Sequence, residues 1–173
     1  MTEQTLQGQY AGFVTRLMAW LIDRGIIAVV LAVTAWLVSY AMGVFGIDLS
    51  QCYATGGWQG YICWFVTFCL AIFTLVFAPL YMMIFWTFAG ATPGKVAAGV
   101  RVVRMDGKPM TFRTSFRRYV GYVMSFIALG AGFLLILISD KRQGWDDKLA
   151  NTCVVYSWKA RQNETLIQRM TKK

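Results

Sequence analysis

The sequence contains no histidine, and none of its cysteines forms a CxxC pair. Without histidine, Ser–His or Cys–His nucleophiles and histidine-ligated metals are excluded together, and the cysteine spacing matches no zinc motif. We therefore expect no enzyme activity, no metal and no cofactor. The cysteines are Cys52, Cys63, Cys69 and Cys153. Free thiols are the favoured interpretation, with a Cys52–Cys63 disulfide as the alternative if their segment lies outside the cell.

Acidic residues are scarce, since 8 aspartates and glutamates stand against 17 lysines and arginines, for a net charge of +9. An excess of this kind can indicate nucleic-acid binding, but here the basic residues flank apolar runs and belong to no recognisable nucleic-acid module. Attraction to anionic lipid headgroups explains them more simply. We therefore expect a lipid bilayer, and no nucleic acid, as the partner.

Charge is missing altogether from long stretches of the chain. Hydrophobic residues make up 57% of the sequence, and the apolar runs cover about residues 17–45, 61–88 and 119–139. A helix needs about 20 apolar residues to cross the hydrocarbon core, so the first two runs predict two full transmembrane helices. The third run is interrupted at Gly130-Ala131-Gly132 and predicts a third helical or re-entrant segment. The expected fold class is an all-α membrane protein.

The distribution of lysine and arginine predicts an orientation. Residues 46–60 contain Asp48 and no basic residue, whereas the loop of residues 89–118 is strongly basic. The positive-inside rule then places this loop and the N-terminus in the cytoplasm of a multi-pass protein in the plasma (inner) membrane.

The segment after the third run is also basic. This favours a cytoplasmic tail and a re-entrant third run, with three full spans and an external tail as the alternative. We expect residues 1–160 to form a single membrane domain and residues 161–173 a basic C-terminal tail.

A small β-structure is predicted in the cytoplasmic loop. The valine-rich segment Gly99–Met105 is followed by the turn signal Asp106-Gly107 and then by Met110–Phe112, a pattern typical of a hairpin. Because an isolated hairpin is marginal in water, the β-prone run Thr152–Trp158 is expected to add a third strand. The prediction is a cytoplasmic hairpin or three-stranded sheet.

Thr111 is a candidate N-cap for a helix that begins at Phe112 and leads into the third run. Three arginines follow the cap, and we expect them to lie near the lipid headgroups as part of an interfacial helix. They are Arg113, Arg117 and Arg118.

Arg16 and Asp23 stand seven residues apart at the start of the first apolar run. Seven residues are close to two helical turns, so both side chains project from one helix face, about 10 Å apart along the axis. Ionisable groups at a membrane boundary are costly to desolvate and are functional candidates. The separation calls for a third group to bridge them. The alternative is that Arg16 extends to lipid phosphate while Asp23 pairs locally.

A second charged cluster, Asp140 to Lys148, follows the third run. The charge pattern alone favours a solvated polar turn. If the tail returns to the cytoplasmic face, one of its carboxylates can approach Arg16 or Arg24. The secondary candidates for the site are Arg24, Asp146 and Lys148.

Several motifs, in order along the chain, resemble one family. They are Ala11-Gly12-Phe13, the segment from Arg16 to Asp23, Thr92-Pro93-Gly94-Lys95, Val100-Arg101-Val102-Val103, Asp106-Gly107 and the segment from Asp147 to Thr152. Together they resemble the RDD family of small polytopic membrane proteins. The resemblance implies that Arg16, Asp23 and Asp147 are the arginine and two aspartates for which the family is named. Family members commonly carry histidine where this chain has Asp146, and usually glycine where it has Asn151.

Two hypotheses follow from the residues and the resemblance. In the first, Arg16, Asp23 and Asp147 form a charge network that binds a small cation or a proton during transport, for which a short chain needs a homo-oligomer. In the second, the protein is a non-catalytic accessory or assembly subunit of a larger membrane complex, and the triad holds its helices in register.

Overall fold

The computed structural model describes residues 10–49, 57–139 and 141–157. Its helices are α1 (Phe13–Val44), α2 (Trp58–Phe88), α3 (Pro93–Ala97), α4 (Phe112–Ile127), α5 (Ala131–Ile138) and α6 (Trp145–Ala150). Its strands are β1 (Val100–Arg104) and β2 (Thr152–Tyr156). Contacts divide the chain into two compact units. One contains the described residues up to Asp23 and from Tyr81 onward, and the other is Arg24–Leu80.

The unit Arg24–Leu80 holds most of α1 and α2, which are 32 and 31 residues long. At 1.5 Å per residue each helix is about 45 Å long, more than the thickness of a hydrocarbon core. Both are apolar enough to cross a membrane. Their large apolar side chains are mostly exposed, which suits lipid and not water. The prediction of two long transmembrane helices is confirmed.

A small apolar cluster in the same unit surrounds Cys63. Ile47 and Cys63 are buried and contact Met42, Leu49 and Ile62. Cys63 is disulfide-bonded, so the expectation of a free thiol is wrong for this residue. Cys52, the partner considered from the sequence, lies outside the described residues.

The third apolar run forms a bent pair of helices. Helices α4 and α5 meet at 103°, and the break falls where Leu129 and Gly130 have φ of 53° and 84°. Positive φ is natural for Gly130, which explains why the glycine-containing segment marks the corner. The eight residues of α5 extend only about 12 Å, too little to cross a bilayer alone. The predicted break and helical run are therefore present, with the first helix beginning before the apolar run.

Helix α4 begins at Phe112, as predicted, and Thr111 caps it by accepting a hydrogen bond from the Thr114 backbone N–H at 3.4 Å. Arg113 and Arg117 are exposed. The expectation that Arg118 lies near the headgroups is wrong, since this side chain is buried inside the protein.

The strands β1 and β2 pair antiparallel, with Val100 opposite Tyr156 and Arg104 opposite Thr152. The predicted tail strand is confirmed, but the local hairpin with Met110–Phe112 is wrong. The turn after β1 does form, and Arg104 Nη2 binds Asp106 Oδ2 there at 2.5 Å. However, the chain beyond it enters α4 at the Thr111 cap and is not available for pairing.

On the other side of β2, Tyr10 forms an isolated antiparallel bridge to Val155. The Ala11 backbone N–H continues this contact by donating to Val154 O at 2.9 Å. The segment before α1 therefore lies beside the strand from the C-terminal region. This pairing, with β1 on the opposite edge of β2, brings three distant parts of the chain together.

Candidate functional site

Asp147 is fully buried between two arginines. Arg16 Nη1 donates to its Oδ2, and Arg118 Nη1 lies 2.6 Å from its Oδ1. The Thr152 hydroxyl donates to Oδ1 at 3.3 Å. Burial alone raises the pKa of Asp147, but the charges of Arg118 and Arg16 outweigh it and hold the pKa below its usual value. Asp147 is therefore an ionised carboxylate held by fixed donors.

Helix α6 supplies Asp147 and its neighbour Asp146 from its first turn. It can lie close to α4 because Gly121 faces it, where a Cβ would come within 2.6 Å of the Asp146 Cα. At its end, Asn151 adopts the left-handed conformation, with φ 52°, which asparagine tolerates better than most residues. The departure from glycine noted in the sequence is thus accommodated in the turn.

Asp146 takes part in the same cluster with one oxygen. Arg118 Nη2 donates to its Oδ2 at 2.9 Å, while its buried Oδ1 has no hydrogen-bond partner among the described residues. Burial and the neighbouring charge of Asp147 raise the pKa of Asp146, against the opposing effect of Arg118. The two adjacent carboxylates therefore differ: Asp147 is held ionised, and Asp146 binds a proton more readily.

Asp23 forms a separate centre of hydrogen bonds. Its Oδ1 accepts from the Tyr81 hydroxyl at 3.0 Å and from the Gly94 backbone N–H at 2.8 Å, and its Oδ2 accepts from the Thr92 hydroxyl at 2.5 Å. Three donors satisfy a buried carboxylate without an arginine. Asp23 thereby fixes the turn that opens α3 against α1 and α2.

The approach at this turn is very close. A Cβ on Gly94 would lie 2.2 Å from the Ala19 carbonyl oxygen and 2.7 Å from the Asp23 Cγ. Only glycine fits between the turn and α1, which accounts for glycine after Thr92-Pro93. The result is that Lys95, the next residue, is directed into the protein and is buried.

Lys95 lies over a buried tryptophan. Its Nζ is 4.8 Å from the centroid of the Trp86 ring, and the Arg118 Cζ is 5.2 Å from the same ring. Burial, reinforced by the charge of Arg118, lowers the pKa of Lys95 to about 7, although Asp146 and Asp147 oppose the shift. Lys95 can therefore exchange a proton near neutral pH.

A cavity of about 50 Å³ lies within the cluster. The charged side chains around it come from α1, α3, α4 and α6, and aromatic and aliphatic side chains complete the wall. They include Arg16, Asp23, Lys95, Arg118, Asp146, Trp20, Trp86 and Tyr122. A cavity of this size holds one or two water-sized groups.

The predicted triad is thus divided. Asp147 is a third group that contacts Arg16, with which it forms an ion pair, but it does not bridge Arg16 to Asp23. Asp23 is instead held by Tyr81, Thr92 and Gly94. Arg16 also donates to the Ala11 and Arg142 carbonyl oxygens, at 3.2 and 2.7 Å. It therefore does not extend to lipid phosphate.

The secondary candidates for the site lie in different places. Asp146 belongs to the cluster, Lys148 is exposed, and Arg24 is half-buried in the other unit. Sequence reasoning missed Arg118 as a site residue, although a signal existed: small and polar residues recur along its helix face at Ser115, Gly121 and Ser125, which are buried. Such spacing is typical of a closely packed face.

Taken together, two membrane-length helices and a buried cluster of arginines, lysine and aspartates define an integral membrane protein with charges held inside the fold. Comparison with known proteins gives the family. The chain belongs to the RDD family, whose family model matches residues 10–151.

The chain is also 25% identical over 150 residues to the uncharacterized protein YxaI of Bacillus subtilis (strain 168). That match covers 84% of this chain and 97% of the relative. No solved structure matches. The family resemblance inferred from the motifs is confirmed, and it leaves the activity open because a shared fold does not fix a function.

Proposed function

We propose that this protein transports protons, with Lys95 and Asp146 as the groups that bind and release them. The observation that carries the proposal is that both side chains line one buried cavity while their pKa values are shifted toward each other. A lysine whose pKa is lowered to about 7 and a carboxyl whose pKa is raised differ less in proton affinity than the free side chains do, so a proton can pass between them. Such matched groups are typical of functional sites.

The other charged groups around the cavity have positioning roles in this proposal. Arg16 and Arg118 hold Asp147 ionised, and the resulting fixed charges set the proton affinity of the exchanging pair. Asp23 holds the turn that carries Lys95. The triad named from the sequence therefore supports the exchange without itself exchanging.

A proton suits this cluster better than a sodium ion does. A bare cation needs several oxygen ligands, whereas here the charges of Arg16, Lys95 and Arg118 act on both carboxylates of α6. Within the described ranges, no three carboxylate or thiol side chains are grouped as metal ligands would be. A proton needs only one acceptor, so it can be taken up among arginines where a metal ion cannot.

Proton flux in vesicles tests the proposal. Purified protein is reconstituted into liposomes that contain a pH-sensitive dye, and an outward pH gradient is imposed with and without a sodium gradient. We expect flux with the native chain, loss of flux with Lys95→Met, and unchanged flux with the exposed-lysine control Lys148→Met. Absence of flux from the native chain, or equal flux from Lys95→Met, contradicts the proposal.

We further propose two spans and a re-entrant α4–α5 corner, with the N-terminus, the β-sheet and the tail all cytoplasmic. The pairing of β1 with β2 supports this arrangement, since the basic loop and the segment after the third run lie side by side. A bridge from Tyr10 to Val155 adds the N-terminal segment to the same side. A reporter fused after Lys173 gives the test, and an external reporter contradicts the arrangement. With so few spans, a transport pathway requires a homo-oligomer.

One observation favours the accessory-subunit function instead. Asp23 and Asp147 have all their acceptor oxygens engaged by donors of the fold, as expected of residues that hold helices in register. Purification in a mild detergent separates the two functions. Stoichiometric co-purification of other membrane proteins favours the accessory function, and a homo-oligomer alone favours transport.

A further inference from the structure

The walls of the cavity contain polar atoms that the fold does not satisfy. Arg118 Nε and Trp86 Nε1 are buried donors without a hydrogen-bond partner in the described part of the chain, and Asp146 Oδ1 is an acceptor in the same condition. All three side chains line this cavity. Unsatisfied buried donors are costly, at about 1–3 kcal/mol each, so a group that accepts from them stabilises the site.

Lys95 adds a further donor to this wall. Its ammonium lies over the Trp86 ring, and none of the carboxylates in the described residues forms an ion pair with it. By contrast, both arginines of the cluster are already paired, Arg16 with Asp147 and Arg118 with both aspartates of α6. The charge of Lys95 is therefore the one that the cluster leaves without a direct counter-ion.

The net charge around the cavity depends on one carboxyl group. The groups that face Asp146 are Asp147, Arg118, Arg16 and Lys95, and Asp23 lines the cavity as well. With every group ionised, three cations oppose three carboxylates. When Asp146 takes up a proton, the cavity carries one excess positive charge. The protonated carboxyl can then donate a hydrogen bond to a bound acceptor, in addition to the donors of Arg118, Trp86 and Lys95.

We propose that this cavity binds a small monovalent anion, such as chloride, between Arg118, Trp86 and Lys95, and that Asp146 takes up a proton when the anion enters. The volume of about 50 Å³ admits an ion of one to a few non-hydrogen atoms. A single excess positive charge balances a monovalent anion and not a divalent one. The site shares its cavity, Lys95 and Asp146 with the proposed proton exchange, but the two proposals are tested separately, because anion binding is measurable on protein that transports nothing.

Titration of the detergent-solubilised chain tests the site. Protein prepared in sodium gluconate, whose anion is too large for the cavity, is titrated with sodium chloride, nitrate or bicarbonate at constant ionic strength in a calorimeter. We expect saturable binding of at least one small anion and none of gluconate. The tightest binder then identifies the preferred ligand. No saturable heat for any of the three, or equal effects of gluconate, overturns the proposal.

The pH dependence tests the role of Asp146. If one proton accompanies the anion, affinity is higher at about pH 6 than at about pH 8, by up to about 100-fold. Lys95, whose pKa is about 7, also loses its charge in this range. Asp146→Asn, which imitates the protonated carboxyl, is therefore expected to keep binding and to lose the share of the pH dependence that comes from Asp146, so that only the share of Lys95 remains. Equal affinity at the two pH values in the native chain, or a pH dependence in Asp146→Asn that is as steep as in the native chain, contradicts this part.

Two further variants locate the anion. Trp86→Phe keeps an aromatic ring and removes the Nε1 donor, so we expect weaker binding by roughly tenfold, about one hydrogen bond. Lys95→Met removes the charge and should abolish binding, whereas the exposed-lysine control Lys148→Met should bind as the native chain does. Native affinity in both cavity variants places the anion elsewhere and overturns the assignment.

Discussion

Replacing Gly94 by alanine should destabilise the protein because the added methyl group has no space. Its Cβ would lie 2.2 Å from the Ala19 carbonyl oxygen and 2.8 Å from Asp23 Oδ1. Ordinary contacts of this kind are at least 3.4 Å, so the turn must move by about 1 Å. That movement lengthens the Gly94 N–H to Asp23 hydrogen bond beyond its 2.8 Å and withdraws Lys95 from its place over the Trp86 ring.

The expected cost has two parts. Overpacking a fitted contact costs about 1–3 kcal/mol, and loss of a hydrogen bond to a charged group costs about 1.5–3 kcal/mol. A partial movement of the turn relieves the overpacking but weakens the hydrogen bond to Asp23, so the two costs do not add in full. We take the total loss in the free energy of unfolding as about 3 kcal/mol. For a chain of this length, about 2–4 °C of thermal midpoint is lost per kcal/mol, which predicts a decrease of roughly 10 °C for Gly94→Ala.

The assay is thermal unfolding of the purified protein in detergent, followed by tryptophan fluorescence. Gly25→Ala is the matched control, since a Cβ at Gly25 meets nothing within 4 Å and the residue lies inside helix α1. We expect it to leave the midpoint unchanged or to raise it slightly, as alanine favours helix. If Gly94→Ala unfolds at the same temperature as Gly25→Ala, the close contact of Gly94 with Ala19 and Asp23 does not stabilise the protein, and the reasoning is refuted.

Three other changes give measurable results. Asp147→Asn leaves buried arginines without their counter-charge and should reduce the free energy of unfolding by about 3–5 kcal/mol in denaturant titration, whereas the exposed Asp106→Asn should have little effect. Because folding lowers the pKa of Lys95 from 10.5 to about 7, the unfolded chain binds more protons between these values, and native stability should rise with pH there. In Lys95→Met this rise should disappear, and a native profile in that variant contradicts the assignment. Burial raises the pKa of Cys153 to about 11, so a water-soluble maleimide should label this thiol only after denaturation. The assay uses a Cys69→Ser background, because Cys69 is a free and exposed thiol, and rapid labelling of Cys153 in the folded protein contradicts its burial.

The elements that depend on local pattern were predictable from the sequence. The long apolar runs predicted α1 and α2, the cap at Thr111 predicted the start of α4, and the glycine break predicted the corner before α5. In each case a few neighbouring residues determine the conformation. The hairpin prediction was wrong because strand pairing is not local. The turn signal after β1 gives no information about which distant strand is available to pair.

The site was only partly predictable because it joins residues far apart in sequence. Asp147 was identified through the family motif and an argument about axial spacing, not through any pattern near Arg16. Arg118 carried a charge that suggests headgroups, and only the close approach of α6 at Gly121 allows it to be buried. Lys95 was missed because its burial depends on the close contact of Gly94 with Ala19 and Asp23, which lie far away in the sequence.

The separation between Arg16 and Asp147, 131 residues along the chain, has a consequence for how the protein is made. Arg16 lies near the start of the first apolar helix, so it is synthesised and inserted long before its carboxylate partner exists. Until α6 and β2 follow, this arginine and Arg118 must remain hydrated or be held by lipid phosphates. The cluster can therefore close only as a late step of biogenesis, after the segment that carries Asp147 has been synthesised.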